Sequence, residues 1–257
     1  MTSAAIAAHA HDHASRVVYP PLDTLKQVAP ELWIVDSGPM QAMGLPIPLR
    51  MTVVRLARGG LWLHSPTPLV PALADQLDRL GPVWHLVAPN VAHWSFVADW
   101  QRRYPQAVAW AAPGLRRRRA VRRSDVRFHH DLGVVPPPDW IAEIDQAVVP
   151  GGFGVHEVAF LHRPSRSLLL TDLVENFERS KVSPLLRPLV RLAGAMAPDG
   201  QAPAHLRFAI NRRRQEAQAA ARRLLDWGPE RVIFAHGRWF VRDGTAQLRQ
   251  SLRWLLA

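Results

Sequence analysis

The chain has 257 residues and no cysteine, which excludes disulfide frameworks, thiolate metal sites and cysteine nucleophiles and leaves His, Asp, Glu and Asn to hold any metal. Its apolar fraction of 48% and its ten tryptophans supply enough apolar surface for a large core. The net charge of +11 is almost wholly arginine, since Lys26 and Lys181 are the only lysines. Such an excess attracts nucleic acid, anionic lipid or an acidic partner, or else reflects a coding bias towards arginine.

The first residues, MTSAAIAAHAHDHASR, carry no basic leader, and no apolar run approaches the roughly 20 residues that span a bilayer. A soluble, cytoplasmic chain without a transmembrane segment is therefore the expectation. HAHDHA, at 9–14, puts three histidines and an aspartate into five positions and has the composition of a metal loop. It precedes the first expected strand, among Ala, Thr and Ser, so residues 1–29 read as an N-terminal tail, mobile at its start, with adventitious metal affinity. The alternative is that it folds over a site elsewhere and supplies histidines to it.

From residue 30 to 257 the pattern is that of one domain. ELWIVDS (31–37), RMTVVRLA (50–57) and LWLHS (61–65) read as strands, with Gly59-Gly60 as a hairpin turn. LVPALADQLDRL then changes to helical spacing, VWHLVAP (83–89) is a strand, SFVADWQRRY a helix, and AVAWAAP (107–113) a strand, so parallel pairing follows the hairpin. His129-His130-Asp131 reads as a polar loop. VHEVAFLH (155–162) and SLLLTDLV (167–174) form a second hairpin, a mostly helical insertion covers about 176–227, RVIFAHG (231–237) is the last strand, and TAQLRQSLRWLL closes the chain as a helix. Two half-sheets that each mix hairpins with crossovers predict an α/β (α+β) fold, a four-layer αββα sandwich. Its active groups would sit on the loops APNVAHW, TDLVEN and AHGRW at strand ends.

The strand order, the Asp that ends TDLV, the His-Gly that ends RVIFAHG, and RMTVVRL, LWLHSPTPL, LGPVWHLVAPN and AHW together resemble the metallo-β-lactamase superfamily, in an offshoot that is a domain of unknown function. The resemblance covers about residues 30–240. It implies a metal loop of the form H-x-H-x-D-H at Ala88-Pro89-Asn90-Val91-Ala92-His93, where Ala88, Asn90 and Ala92 replace ligands and His93 remains. Gly152 stands where the next histidine ligand would be, and His156 matches a later, non-ligand histidine. Asp172 matches the bridging carboxylate and His236 the final histidine.

Sorted by metal, one ion of the usual pair keeps only Asp172, whereas the other keeps His93, Asp172 and His236. The resemblance thus implies a reduced, mononuclear site for one divalent zinc, iron or manganese ion. Such a two-His-one-carboxylate set leaves positions open for water and substrate. His64, Asn90 or His156 could add a fourth ligand or an outer hydrogen bond, and Asn90 after Pro89 also suits a loop or helix cap. The expected activity is hydrolysis of an ester, thioester, amide or phosphodiester in a small-molecule substrate. The competing reading is a vestigial site without metal, in a non-catalytic descendant that binds an anionic ligand, nucleic acid or a protein partner through the old pocket or its basic surface.

Arg116, Arg117, Arg118 and Arg119 head the sharpest cationic cluster, and NRRRQEAQAAARR (211–223) is a second. They read as anion-binding or as solvated helix faces. PLLRPLVRLAGAMA (184–197) is apolar with two arginines and reads as a helix on a membrane surface, packed over the sandwich, or covering the site entrance. No G-x-S-x-G elbow, phosphate loop or dinucleotide fingerprint is present, and the tryptophans read as core.

Overall fold

The computed structural model describes residues 17–42 and 45–257, and the HAHDHA stretch lies outside them. Strands β1 (Lys26–Ala29), β2 (Leu32–Ala42), β3 (Leu45–Arg55) and β4 (Leu61–His64) form an antiparallel meander. The β3–β4 turn needs both of its glycines: Gly59 has φ +92°, and a Cβ on Gly60 would lie 1.9 Å from the Trp84 ring. Helix α1 (Pro71–Leu80) starts with proline in its first turn and buries Leu73, Ala74 and Leu77. It leads to β5 (Val83–Ala88), after which α2 (Val97–Arg103) crosses to β6 (Val108–Ala111). β4, β5 and β6 are parallel neighbours, so their C-terminal ends share one edge of the sheet.

Beyond the short α3 (Arg119–Arg122), β7 (His130–Asp131) pairs with Trp110–Ala111 and completes a seven-stranded sheet in sequence order. The expected polar loop at 129–131 is therefore in part an edge strand. The second sheet has the order β12-β10-β9-β8, with β8 (Ile144–Pro150), β9 (His156–His162) and β10 (Ser167–Leu169) antiparallel in turn. A two-residue strand β11 (Glu175–Asn176) follows. The stretch expected to be mostly helical is then divided into α4 (Arg187–Ala193), α5 (Ala204–Asn211) and α6 (Arg214–Asp226). β12 (Arg231–Ile233) returns parallel to β10, β13 (His236–Gly237) pairs with β11, and α7 (Gly244–Ser251) and α8 (Arg253–Leu256) end the chain.

Strand alternation divides the apolar residues of the second sheet between two cores. Ile144, Val158, Phe160, Leu169 and Ile233 join the first sheet's residues, among them Val35, Met51, Trp62 and Leu63, in the core that also holds Leu73, Leu77 and Trp100 of α1 and α2. Their neighbours Ala147, Val149, Ala159, Leu161, Leu168, Val232 and Phe234 face α6, α7 and α8 instead. A period of two in four strands thus produces helix, sheet, sheet and helix layers. None of the ten tryptophans is exposed, and Trp62, Trp100 and Trp140 are among the largest fully buried side chains.

One buried cation ties the first sheet to the C-terminal segment. Arg50 on β3 pairs with Asp36 on β2 at 2.6 Å, and its other nitrogen donates to the carbonyls of Phe234 (2.8 Å) and Gly237 (2.9 Å). Those carbonyls flank His236.

Candidate functional site

Three strand ends deliver the side chains. The loop after β5 carries Asn90 and His93, the loop after β10 carries Thr171 and Asp172, and β13 carries His236. His93 Nε2 lies 3.0 Å from Asp172 Oδ1, His236 Nε2 lies 3.2 Å from the same oxygen, and the two Nε2 atoms are 3.3 Å apart. His236 is buried, while His93 and Asp172 are partly exposed, so the cluster opens to solvent on one side.

Each of the three is held by a partner of its own. His236 Nδ1 donates to the Pro48 carbonyl at 2.7 Å; since that oxygen only accepts, the neutral ring carries its lone pair on Nε2, facing Asp172. His93 Nδ1 shares a 2.6 Å hydrogen bond with Ser65 Oγ. Ser65 follows β4 with φ +57°, a left-handed conformation that costs a non-glycine residue energy, and its N–H bonds to Val87 O at 2.9 Å.

Asn90 acts on both loops at once. Its carbonyl accepts the N–H groups of Ala92 (2.8 Å) and His93 (2.9 Å), closing the turn into His93, and its amide donates to Asp172 Oδ2 at 2.7 Å and Thr171 Oγ1 at 3.0 Å. It thus joins the His93 loop to the Asp172 loop through four hydrogen bonds.

Glu157, to which sequence reasoning assigned no role, supports the same loop from below. It is buried on β9 and accepts the N–H groups of Thr171 (2.8 Å), Asp172 (2.9 Å) and Leu173 (2.9 Å). In the sequence it is one carboxylate in the strand run VHEVAFLH, which says nothing of the loop it will hold. Burial and the charge of Asp172 push its carboxyl up to about 7, against the pull of those N–H bonds. Glu175, paired opposite His236 on β11, is likewise raised to about 7 by burial.

The electrostatics favour a cation at the centre. Burial by itself would raise the Asp172 carboxyl, yet His93 and His236 hold it well below the usual carboxylate range. Burial would lower His236, and the hydrogen bond and charge of Asp172 raise it to about 9. A proton and a metal ion compete for the same lone pairs.

The other sequence candidates stand apart. His64 is buried, stacked on Trp62 at 5.6 Å and edge-on to Phe160, and burial together with His93 lowers it to about 3. It lies beneath the cluster and is not one of the grouped donors. His156 precedes Glu157 on β9, so its side chain points to the opposite face; its charged neighbours are Arg213, Arg118 and Glu216. Arg116, Arg117 and Arg119 are exposed, and Arg118 donates to the Phe153 and Gly154 carbonyls of the β8–β9 turn. Arg116 lies 3.8 Å from Asp131.

The donor set fits a metal. The three ligand atoms lie within 4.8 Å of one another, and separations of 3.0 to 3.3 Å are what bonds of about 2.0 to 2.1 Å at tetrahedral or octahedral angles produce between neighbouring donors. Among the described residues no helix is long and apolar enough to cross a membrane.

Solved structures share this fold. A metallo-β-lactamase from Pontibacter korlensis superposes with a TM-score of 0.62 at 14% identity, over 90% of this chain and 98% of that one. The mono-zinc form of a Pseudomonas aeruginosa metallo-β-lactamase gives 0.58 at 14% over 90% and 94%, and a Hirschia baltica metallo-β-lactamase gives 0.60 at 11% over 90% and 97%. No protein of curated function matches the sequence. At these identities the likeness establishes the metallo-β-lactamase fold, the αββα sandwich that the strand pattern predicts. Residues 31–190, more than half of the chain, match the model of a sequence family, and the chain accordingly belongs to the family described as Domain of unknown function (DUF4336).

Proposed function

We propose that this protein is a metal-dependent hydrolase-like enzyme whose single divalent ion, zinc, iron or manganese, is held by His93, Asp172 and His236. The observation that carries the reading is the convergence of two imidazole nitrogens and one carboxylate oxygen from three separate loops, each fixed by a hydrogen bond on its far side. Such an ion supplies Lewis acidity, lowering the pKa of water from about 15.7 towards 7 and polarising a carbonyl or phosphoryl oxygen. The chain's own residues supply alignment. Pro48 sets the tautomer of His236, Ser65 orients His93, and Asn90 holds Asp172 so that Oδ1 faces both rings. The partly exposed side of His93 and Asp172 is where a small ester, thioester, amide or phosphodiester would enter.

The ligand count also sets a limit. Loop positions 88 and 92 carry Ala, and among the described residues only His93, Asp172 and His236 converge as donors, which suits one ion. Elemental analysis of the untagged protein, grown with each ion in turn, is expected to find about one equivalent, kept when residues 1–15 are deleted and lost in both His93→Ala and His236→Ala. No bound metal under any of these conditions would sink the enzyme reading. Salt-sensitive binding of nucleic acid by metal-free protein would favour the non-catalytic alternative.

A further inference from the structure

The segment between β11 and α5 presents an apolar side that none of the described residues covers. Leu185, in the turn entering α4, and Leu189 and Leu192 on the helix are 90%, 54% and 82% exposed. Their spacing of four and three residues puts them on one side. Arg191, exposed, lies at the flank of the same helix, with Arg179, also exposed, and Lys181 just upstream; Arg187 turns to the other side, where its Nε donates to Val182 O at 3.1 Å; and no carboxylate occurs between Glu178 and Asp199. Lys181 already donates to Val18 O at 2.6 Å and lies 4.5 Å over the Tyr19 ring, which anchors this segment to the start of the described chain.

The opposite side of α4 is also apolar and roofs a cavity. Leu186 and Val190 line it with Pro46, Ile47 and Phe177, and Arg187 stands in its wall. Its volume is about 380 Å³, within the range of small-ligand sites. A helix on the surface of a water-soluble domain ordinarily turns polar residues outward. One that is apolar outward, flanked by arginines and free of carboxylates has the pattern of a helix that lies in a lipid interface, its cations at the phosphates.

We propose that α4 and the turn before it dock on an anionic phospholipid surface, with Leu185, Leu189 and Leu192 entering the acyl layer, Arg179 and Arg191 at the phosphates, and one acyl chain in the cavity beneath. Charge decides against a second copy of this chain as the occupant, because a symmetric contact would bring two sets of arginines together without a carboxylate to meet them. Three leucines are also too small a patch for a stable protein interface, which buries on the order of 1,200 Å² or more. The inference rests on this surface and cavity alone and is independent of the metal reading.

The test is co-sedimentation of the full chain with phosphatidylcholine vesicles, with and without phosphatidylglycerol, at low and high salt. The wild type is expected to bind the anionic vesicles at least about tenfold more tightly than the neutral ones. The Leu185→Ser/Leu189→Ser/Leu192→Ser variant should lose at least about tenfold on the anionic vesicles, and Arg179→Gln/Arg191→Gln should bind more weakly with a flatter salt dependence. All three leucines are exposed, so an unchanged melting temperature accompanies the loss. Absence of wild-type binding, or undiminished binding by the leucine variant, overturns the proposal. So does a lipid-free dimer that the same variant abolishes, which would assign the face to a second copy. For the cavity, short-chain dihexanoyl phosphatidylglycerol below its micelle concentration should raise the melting temperature of the wild type and not of Val190→Phe. No such rise in the wild type removes the acyl-chain part.

Discussion

Asn90 shows how much one uncharged side chain can organise. Its four hydrogen bonds join the loop that carries His93 to the loop that carries Asp172, and only an amide offers both a carbonyl acceptor and two donors in that space. Asn90→Ala should leave the fold intact, because the residue sits on a loop, while metal affinity falls about 10- to 100-fold through the freed carboxylate and the loosened turn. Titration against a competing chelator measures this, and an affinity equal to that of the wild type would remove Asn90 from the site. Positions 93, 172 and 236 are legible in the chain through its resemblance to the metallo-β-lactamase superfamily, whose ligand positions they match. Ser65 and Glu157 are not: a serine after LWLH and a glutamate in VHEVAFLH carry no local mark of what they will touch.

At the scale of elements, the TDL loop after β10 has no regular structure and takes its shape from a neighbouring strand. Glu157 on β9 satisfies three successive backbone N–H groups there with its two oxygens, a task for which glutamine has one oxygen too few. Glu157→Gln puts an amide N–H against a backbone N–H in a buried place, and a loss of about 2 to 3 kcal/mol is expected in thermal or urea unfolding. A change within a few tenths of a kcal/mol would mean that the loop holds itself. The elements that local pattern predicts well are those with clear periodicity, such as α1 and β5. β8 escapes it because Gln146 interrupts IDQAVVP; its side chain is buried nonetheless, donating to Gly133 O at 2.7 Å and Val135 O at 3.0 Å. β7 and β11 are two residues long and exist only because a partner strand is there to pair with.

The whole molecule sets the acid limit of stability. His85, packed against Trp110 and Trp140, and His162, bonded to Ser165 Oγ at 2.7 Å, are both buried, and burial lowers each to about 4. Between about pH 6.5 and 4 the unfolded chain therefore binds protons that the folded one excludes. Their contribution is complete above about pH 6.5 and lost as the pH falls towards 4, on the order of 2 to 3 kcal/mol for each histidine. Glu157 and Glu175, raised to about 7, act in the opposite sense between about pH 7 and 4.5, so the contribution of His85 is read as a difference: as the pH goes from about 6.5 to about 4, the melting temperature of the wild type should fall relative to that of His85→Gln, which can still accept the Trp110 indole N–H. An equal slope in the variant would show that His85 is not excluded from protonation. Arg50 works at the same scale, since it joins β2, β3 and the carbonyls on either side of His236 in one buried network.

The sequence by itself determined the layers. Alternating apolar residues in strands, a helical spacing after Pro68, and Gly-Gly and Pro punctuation are local properties, and local sterics and burial convert them into two sheets covered by helices. It also determined the kind of chemistry available, through the absence of cysteine and the histidines and aspartate at strand ends. Only the tertiary structure decided which of those groups meet. His93 and Asp172 are 79 residues apart and His93 and His236 are 143 apart, so their convergence depends on how the two sheets face each other and on buried hydrogen bonds from Pro48, Ser65, Asn90 and Glu157. It equally decided that the leucines of α4 face outward, because a short apolar helix has the same periodicity whether its outer side meets protein, water or lipid.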